Sequence, residues 1–149
     1  MLLKSEKWVK SGVCDLSIAL VDSRTMSRLH ARYLGLPGPT DVLTFPLERG
    51  ARNRVTSGEI IICVPFARRQ ARLRGHSLRS EILLYVLHGL LHLAGYDDRT
   101  RDAFDRMHRT EDMILRKIGV GSVFARGESK RAAARCRAGR TRRPEGNRR

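Results

Sequence analysis

The sequence predicts a mixed α/β fold organised around one buried helix, and three observations carry that prediction. Runs at 13–22, 40–46 and 59–64 are rich in β-branched and apolar residues, either alternating or wholly apolar, as strands are. Interleaved with them are segments whose apolar residues recur at helical spacing between capping and breaking residues. One such segment, 78–94, is apolar on nearly every side, the pattern of a helix enclosed by the rest of its domain.

In chain order, "VCDLSIALVD" (13–22) is the first strand, and Asp22 or Ser23 caps the helix that follows. That helix, 24–34, places Met26, Leu29 and Tyr33 on one side. "GLPGP" (35–39) is a turn cluster. "TDVLTFP" (40–46) is a short strand ended by Pro46, and 48–58 is a polar, basic loop. "EIIICV" (59–64) has the continuous apolar character of a central strand. Pro65 opens a helix with a basic outer face, closed by Gly75. Ser77 caps the long helix 78–94, and Gly95 sits where a left-handed terminating residue belongs. Asp98 or Thr100 starts a last helix with Phe104, Met107, Met113, Ile114 and Ile118 along one side. Gly119 and Gly121 close the domain.

A chain of 149 residues suits one domain with a real core. Its formal charge of +15 points to an anionic partner, nucleic acid first and a membrane surface second. Residues 126–149 carry ten Lys/Arg against two Glu, with almost no apolar side chain larger than alanine, so a folded domain over 1–122 and a disordered basic tail over 123–149 are expected. The remaining residues are basic too, with twenty Lys/Arg against thirteen Asp/Glu in 1–125. Three cysteines without dense spacing exclude a disulfide scaffold; Cys14 and Cys63 read as small core residues. The opening residues lack a secretory signal, and the longest apolar run is too short to span a bilayer. A cytoplasmic protein with no membrane partner is the expectation.

The chemistry concentrates in "HGLLHLAGYDD" (88–98). His88 and His92 are one helical turn apart, with Cβ atoms about 6 Å from each other, a reach that lets two imidazoles share one metal ion. Buried imidazoles without partners are costly, which favours a ligand role in so apolar a run. After the turn at Gly95, Asp97 or Asp98 can return a carboxylate as third ligand. Two histidines, one carboxylate and an open position hold a reactive water. Position 89 is glycine, so the H-E-x-x-H peptidase motif and its base are absent, and no general base is assigned.

"HGLLHLAGYDD" closely resembles the H-G-x-L-H-L-x-G-Y-D-H signature of the YbeY-type endoribonucleases, the bacterial rRNA maturation factors. "PTDVLTFP" (39–46) resembles that family's P-T-D-V-L-S-F-P block, and "SGEIIIC" (57–63) its G-D-I-x-I strand. The resemblance spans roughly 13–118, in the family's order and spacing. It implies a small mixed β-sheet packed with helices around a central metal-binding helix. It also implies a zinc-dependent endoribonuclease that cuts single-stranded RNA, matures the 16S rRNA 3′ end and takes part in ribosome quality control, with rRNA and the ribosomal subunit as partners.

Three histidines bind metal in that family. Two map to His88 and His92; the third falls on Asp98, which is taken here as the third ligand, while Asp97 matches the family aspartate that braces the turn. Two histidines and an aspartate suit zinc without excluding manganese, iron or nickel. Relatives carry L-N-x-x-Y-R-G-K before the T-D-V-L block; its arginine and lysine are Leu34 and Leu36 here, and the N-terminus looks short, since the family usually has another strand and helix before the "LSIALVD" strand. Candidates for RNA contact are Arg49, Arg52 and Arg54 in the basic loop and Arg68, Arg69, Arg72 and Arg74 on the helix after Pro65. With aromatics at 5%, no base-stacking platform is evident. Glu81 reads equally as part of a polar line into the pocket and as a favourable first-turn charge, and Asp41 as a cleft or turn-capping residue. His30, His76 and His108 read as surface or minor packing residues, and Tyr96 as packing the turn. Two other functions compete: an rRNA-associated assembly factor with weak or no catalysis, and a metallohydrolase acting on another substrate.

Overall fold

The computed structural model describes residues 12–121. The predicted basic tail and Cys136 therefore lie outside the described residues. Seven elements follow in the order β1 (Asp15–Val21), α1 (Ser23–Leu34), β2 (Val42–Arg49), β3 (Val55–Cys63), α2 (Val64–Arg74), α3 (Leu78–Leu93) and α4 (Arg101–Lys117). The fold is the expected α+β class. Its sheet has the order β1-β3-β2, with β1 parallel and β2 antiparallel to the central β3.

Alternation along β3 divides the core. Ile60 and Ile62 are buried with Leu84, Leu87 and Leu91 of α3 and Met107 and Leu115 of α4. Ile61 and Cys63 are buried on the other side with Met26 of α1 and Leu43 of β2. The central strand is thus apolar on both faces because both faces are covered. At the sheet, α3 approaches unusually closely. A Cβ on Gly89 would lie 2.8 Å from both Ile60 Cδ1 and Thr44 Oγ1, and one on Gly58 would lie 2.5 Å from Leu93 Cδ1. Glycine stands at position 89, where a peptidase would have glutamate, because that side of the helix is pressed on the sheet.

The caps fall where the sequence places them. Asp22 accepts from Thr25 N, Ser77 from Ser80 N, and Gly75 and Gly95 adopt positive φ after their helices. Thr100, accepting from Ala103 N, caps α4, which leaves Asp98 outside the helix and available to the site.

Four expectations are corrected. β2 does not stop at Pro46 but runs to Arg49; it is an edge strand, where a missing N–H is tolerated. β3 starts at Val55 rather than 59, so most of the expected loop is a β-hairpin with a turn at Ala51–Asn53. Cys14 is exposed, just ahead of edge strand β1, whereas Cys63 is fully buried. Met113 of α4 and Ile118 at its C-cap face solvent, and the buried stripe runs Met107, Glu111, Leu115 instead. Among the described residues no helix is long and apolar enough to cross a membrane.

Candidate metal centre and its cleft

His88 and His92 project from the last two turns of α3, and the turn after Gly95 returns Asp98 to them. His88 Nε2 and His92 Nε2 are 3.1 Å apart, and Asp98 Oδ2 lies 3.7 Å from each. Ligands about 2.0–2.1 Å from a tetrahedral ion are spaced about 3.3–3.4 Å from one another. The three edges of this triangle bracket that value. These three are the candidate metal-holding group among the described residues.

The hydrogen bonds of the rings fit the same reading. His88 Nδ1 lies 2.7 Å from Glu111 Oε1, and His92 Nδ1 lies 3.2 Å from the Tyr96 carbonyl. Both partners are acceptors, so both Nδ1 atoms donate, and a neutral ring then presents a bare Nε2. Two Nε2 lone pairs facing each other at 3.1 Å repel unless a metal ion, or a proton on one ring, lies between them. The donor set therefore fits a metal ion, with Asp98 supplying charge. Tyr96 contributes its backbone to the turn, and Asp97 braces it by accepting from Asp98 N and Arg99 N.

Behind His88 stands a residue that the sequence reading missed. Glu111 is fully buried, with Oε1 on His88 and Oε2 on His108 Nδ1 at 2.5 Å. Burial by itself would raise its pKa, but the hydrogen bonds from His108 and His88 outweigh that and hold it below the usual carboxylate value. Burial likewise pulls His88 down, yet the bond to Glu111 and the charges of Glu111, Asp98 and Asp41 leave its pKa raised. A carboxylate on the far nitrogen of a metal-binding imidazole fixes the tautomer and strengthens the ligand. His108 is thus part of the support for the site rather than a minor packing residue. The signal was present: a glutamate midway between Met107 and Leu115 falls on the buried stripe of α4.

The centre opens onto a cleft of about 760 Å³ lined in part by Leu34, Asp41, Phe45, Arg49, Arg54, His88 and His92. Asp41 both borders it and caps its own turn, accepting from Val42 N and the Thr40 hydroxyl. The seven arginines separate. Arg49 and Arg54 line the cleft, brought there by the hairpin, whose register shifts between Pro46 and Arg49 re-aim the strand end. Arg52 is exposed on the hairpin turn and is not among the cleft residues. Arg68, Arg69 and Arg72 are exposed on α2, away from the cleft lining, and Arg69 lies over the Phe66 ring. Arg74 is turned inward, 2.7 Å from the fully buried Glu81. Glu81 also lies 2.9 Å from His76 Nε2, off the line of a hydrogen bond. Glu81 is therefore the anchor of an α2–α3 ion pair, and His76 packs against it. His30 keeps the surface role expected of it, with Nδ1 2.9 Å from the Gly38 carbonyl.

Comparison with known proteins gives one answer. The family model described as "Endoribonuclease YbeY" matches residues 1–119. A protein named endoribonuclease YbeY from Saccharopolyspora erythraea is 36% identical over 138 residues, covering 87% of this chain and 75% of its own length. Its namesake from Thermobifida fusca is 41% identical over 110 residues, covering 69% and 71%. The solution structure of TM1509 from Thermotoga maritima superposes with a TM-score of 0.51 at 30% identity, over 75% of this chain and 76% of that one. With the match reaching from the first residue to the end of α4, this chain belongs to the endoribonuclease YbeY family.

Proposed function

We infer that this chain is a metal-dependent endoribonuclease acting on single-stranded RNA. The observation that carries the reading is the His88–His92–Asp98 triangle opening onto a cleft that also holds Arg49 and Arg54. His88, His92 and Asp98 hold the metal, and zinc suits two imidazoles and a carboxylate best, ahead of manganese, iron or nickel. When bound, the metal supplies Lewis acidity, lowering the pKa of a water and steadying negative charge on phosphate. Glu111 holds His88 in the tautomer that leaves Nε2 free, and the Tyr96 carbonyl does the same for His92. Arg49 and Arg54 hold the RNA backbone at the cleft. Asp41 is the remaining carboxylate at the cleft wall, with one oxygen already bound to Val42 N.

By family, the substrate is ribosomal: maturation of the 16S rRNA 3′ end and quality control on the ribosomal subunit, in the cytoplasm. A catalytic domain over 1–122 and a basic RNA-contacting tail over 123–149 complete the reading. Protein purified without chelators is expected to hold one metal per chain and to cut single-stranded RNA, to lose cleavage on chelation and to regain it on re-addition of zinc. Cleavage untouched by chelation overturns the metal-dependent reading. The aspartate at position 98 and the leucine at 34 favour one second reading, an rRNA-associated assembly factor, recognised by tight RNA binding without metal-dependent cleavage.

A further inference from the structure

The cleft that carries the metal centre is not basic throughout. Leu34, which lines it, is 57% exposed, and its neighbours Tyr33 and Leu36 are 53% and 52% exposed. The Tyr33 ring rests against Phe45, with centroids 4.8 Å apart, and Phe45 itself lines the cleft. Isolated exposed apolar side chains are ordinary, but Leu34 and Phe45 lie together in the cleft lining, with the Tyr33 ring against Phe45, and such a group marks a contact surface. Phosphate would lose hydration against Leu34 and gain no hydrogen bond from it; the neighbouring cation, Arg32, lies over the Tyr33 ring and not among the cleft-lining residues. A nucleobase has an apolar π-face that packs on such side chains whatever its identity.

We propose that Leu34 and Phe45, with the Tyr33 ring braced against Phe45, form a base-binding wall of the cleft, on which an unpaired nucleobase packs while Arg49 and Arg54 take the neighbouring phosphates. The proposal rests on the RNA reading above and deepens it. Bases in a duplex are stacked on their neighbours and unavailable to such a wall, so the wall selects single strands. It also assigns a chemistry to the leucine at position 34: it contacts the base instead of the phosphate.

The test is equilibrium binding, by fluorescence anisotropy, of the full chain to a short labelled single-stranded RNA and to its counterpart with abasic riboses at the centre. Removing bases is expected to weaken binding by about fivefold or more, the range of one lost stacking contact. Leu34→Ser, at an exposed position, is expected to weaken binding of the intact RNA by a similar factor and to leave the abasic RNA unchanged. The dependence of log Kd on log salt should not alter. Arg49→Gln should weaken both RNAs equally and lower the salt slope by about one phosphate contact. If the parent binds intact and abasic RNA alike, or if Leu34→Ser lowers the salt slope, the base-binding wall is wrong while the RNA reading stands. A protein partner on this wall would give that first result. If the parent neither binds nor cuts RNA, the functional reading itself falls, and the wall with it.

Discussion

Glu81 and Glu111 are both fully buried, both bridge α3 to a neighbouring helical segment, and both touch a histidine. What differs is the cation. Glu81 has Arg74 at 2.7 Å, a permanently charged partner that neutralises it on the spot. Among the described residues Glu111 pairs with His88 and His108, whose charge is conditional, and His88 continues from Glu111 to an open cleft. The first pair is closed on itself and ties α2 to α3. The second transmits the carboxylate's influence outward to a ligand atom. A buried glutamate is thus structural or functional according to whether its partner faces a further group.

The sharpest break of this comparison is at the ligand end. His88→Ala or His92→Ala is expected to abolish stoichiometric metal, and melting should no longer rise on adding zinc, because metal stabilises only the form that binds it. Full metal occupancy in the double variant, measured by elemental analysis, would remove the site altogether.

The next largest effect belongs to the closed pair. Arg74→Met leaves Glu81 buried beside His76 and Tyr85 without a permanent cation. Breaking a buried pair by removing one partner costs about 3–5 kcal/mol; with Arg74 part-exposed and His76 in place, about 2 kcal/mol is expected here. Denaturant midpoints should show it, while metal content and RNA cleavage per folded molecule stay at the parent level. A loss of metal without a loss of stability would mean that the two networks are coupled along α3.

Glu111→Gln is the converse. It keeps the shape and an acceptor for His88 Nδ1 but removes the charge. Loss of such a supporting carboxylate typically lowers metal affinity about 10- to 100-fold. Unfolding stability without metal should fall by less than in Arg74→Met: no unpaired charge is left behind, and what is lost is the bond from His108 Nδ1, which the amide nitrogen cannot accept. An unchanged metal affinity in competition titrations would reduce Glu111 to packing and erase the distinction from Glu81.

The two networks were unequally legible in the sequence. His88, His92 and Asp98 lie within eleven residues, so one helical turn and one tight turn bring them together, and local rules suffice. Glu111 is 23 positions from His88; nothing but the packing of α4 on α3 joins them. Its position on the Met107–Leu115 stripe was readable, yet an apolar pattern draws attention to Met113 and Ile118, which face solvent. The same limit governs the arginines. Seven cations in two segments are indistinguishable by composition, and the β2–β3 hairpin, longer than its polar sequence indicates, is what carries Arg49 and Arg54 to the cleft. Helix caps and the central burial of β3 were legible because each rests on residues close in sequence; the strand order was not, since β1 pairs with β3 across some forty residues.

The smallest expected effect separates the adjacent aspartates. Asp98 Oδ2 is 3.7 Å from both ligand nitrogens, whereas Asp97 is spent on Asp98 N, Arg99 N and the Arg99 guanidinium. Those contacts hold the Asp97 carboxyl below its usual pKa, chiefly through Arg99. Asp98→Asn should therefore weaken metal binding by about tenfold, the worth of roughly one charge-assisted contact, and Asp97→Asn by less, through a looser turn. Asp98→His restores an imidazole donor without the negative charge, which otherwise offsets part of the metal's pull on water. It should keep the metal and raise cleavage of single-stranded RNA. If Asp97→Asn proves the more damaging of the two in metal titrations, the carboxylate nearest the histidines is not the ligand, and the turn must rearrange when metal binds. If neither substitution matters, the centre is completed by water, and the charge that distinguishes it from the closed Arg74–Glu81 pair must come from Glu111 alone.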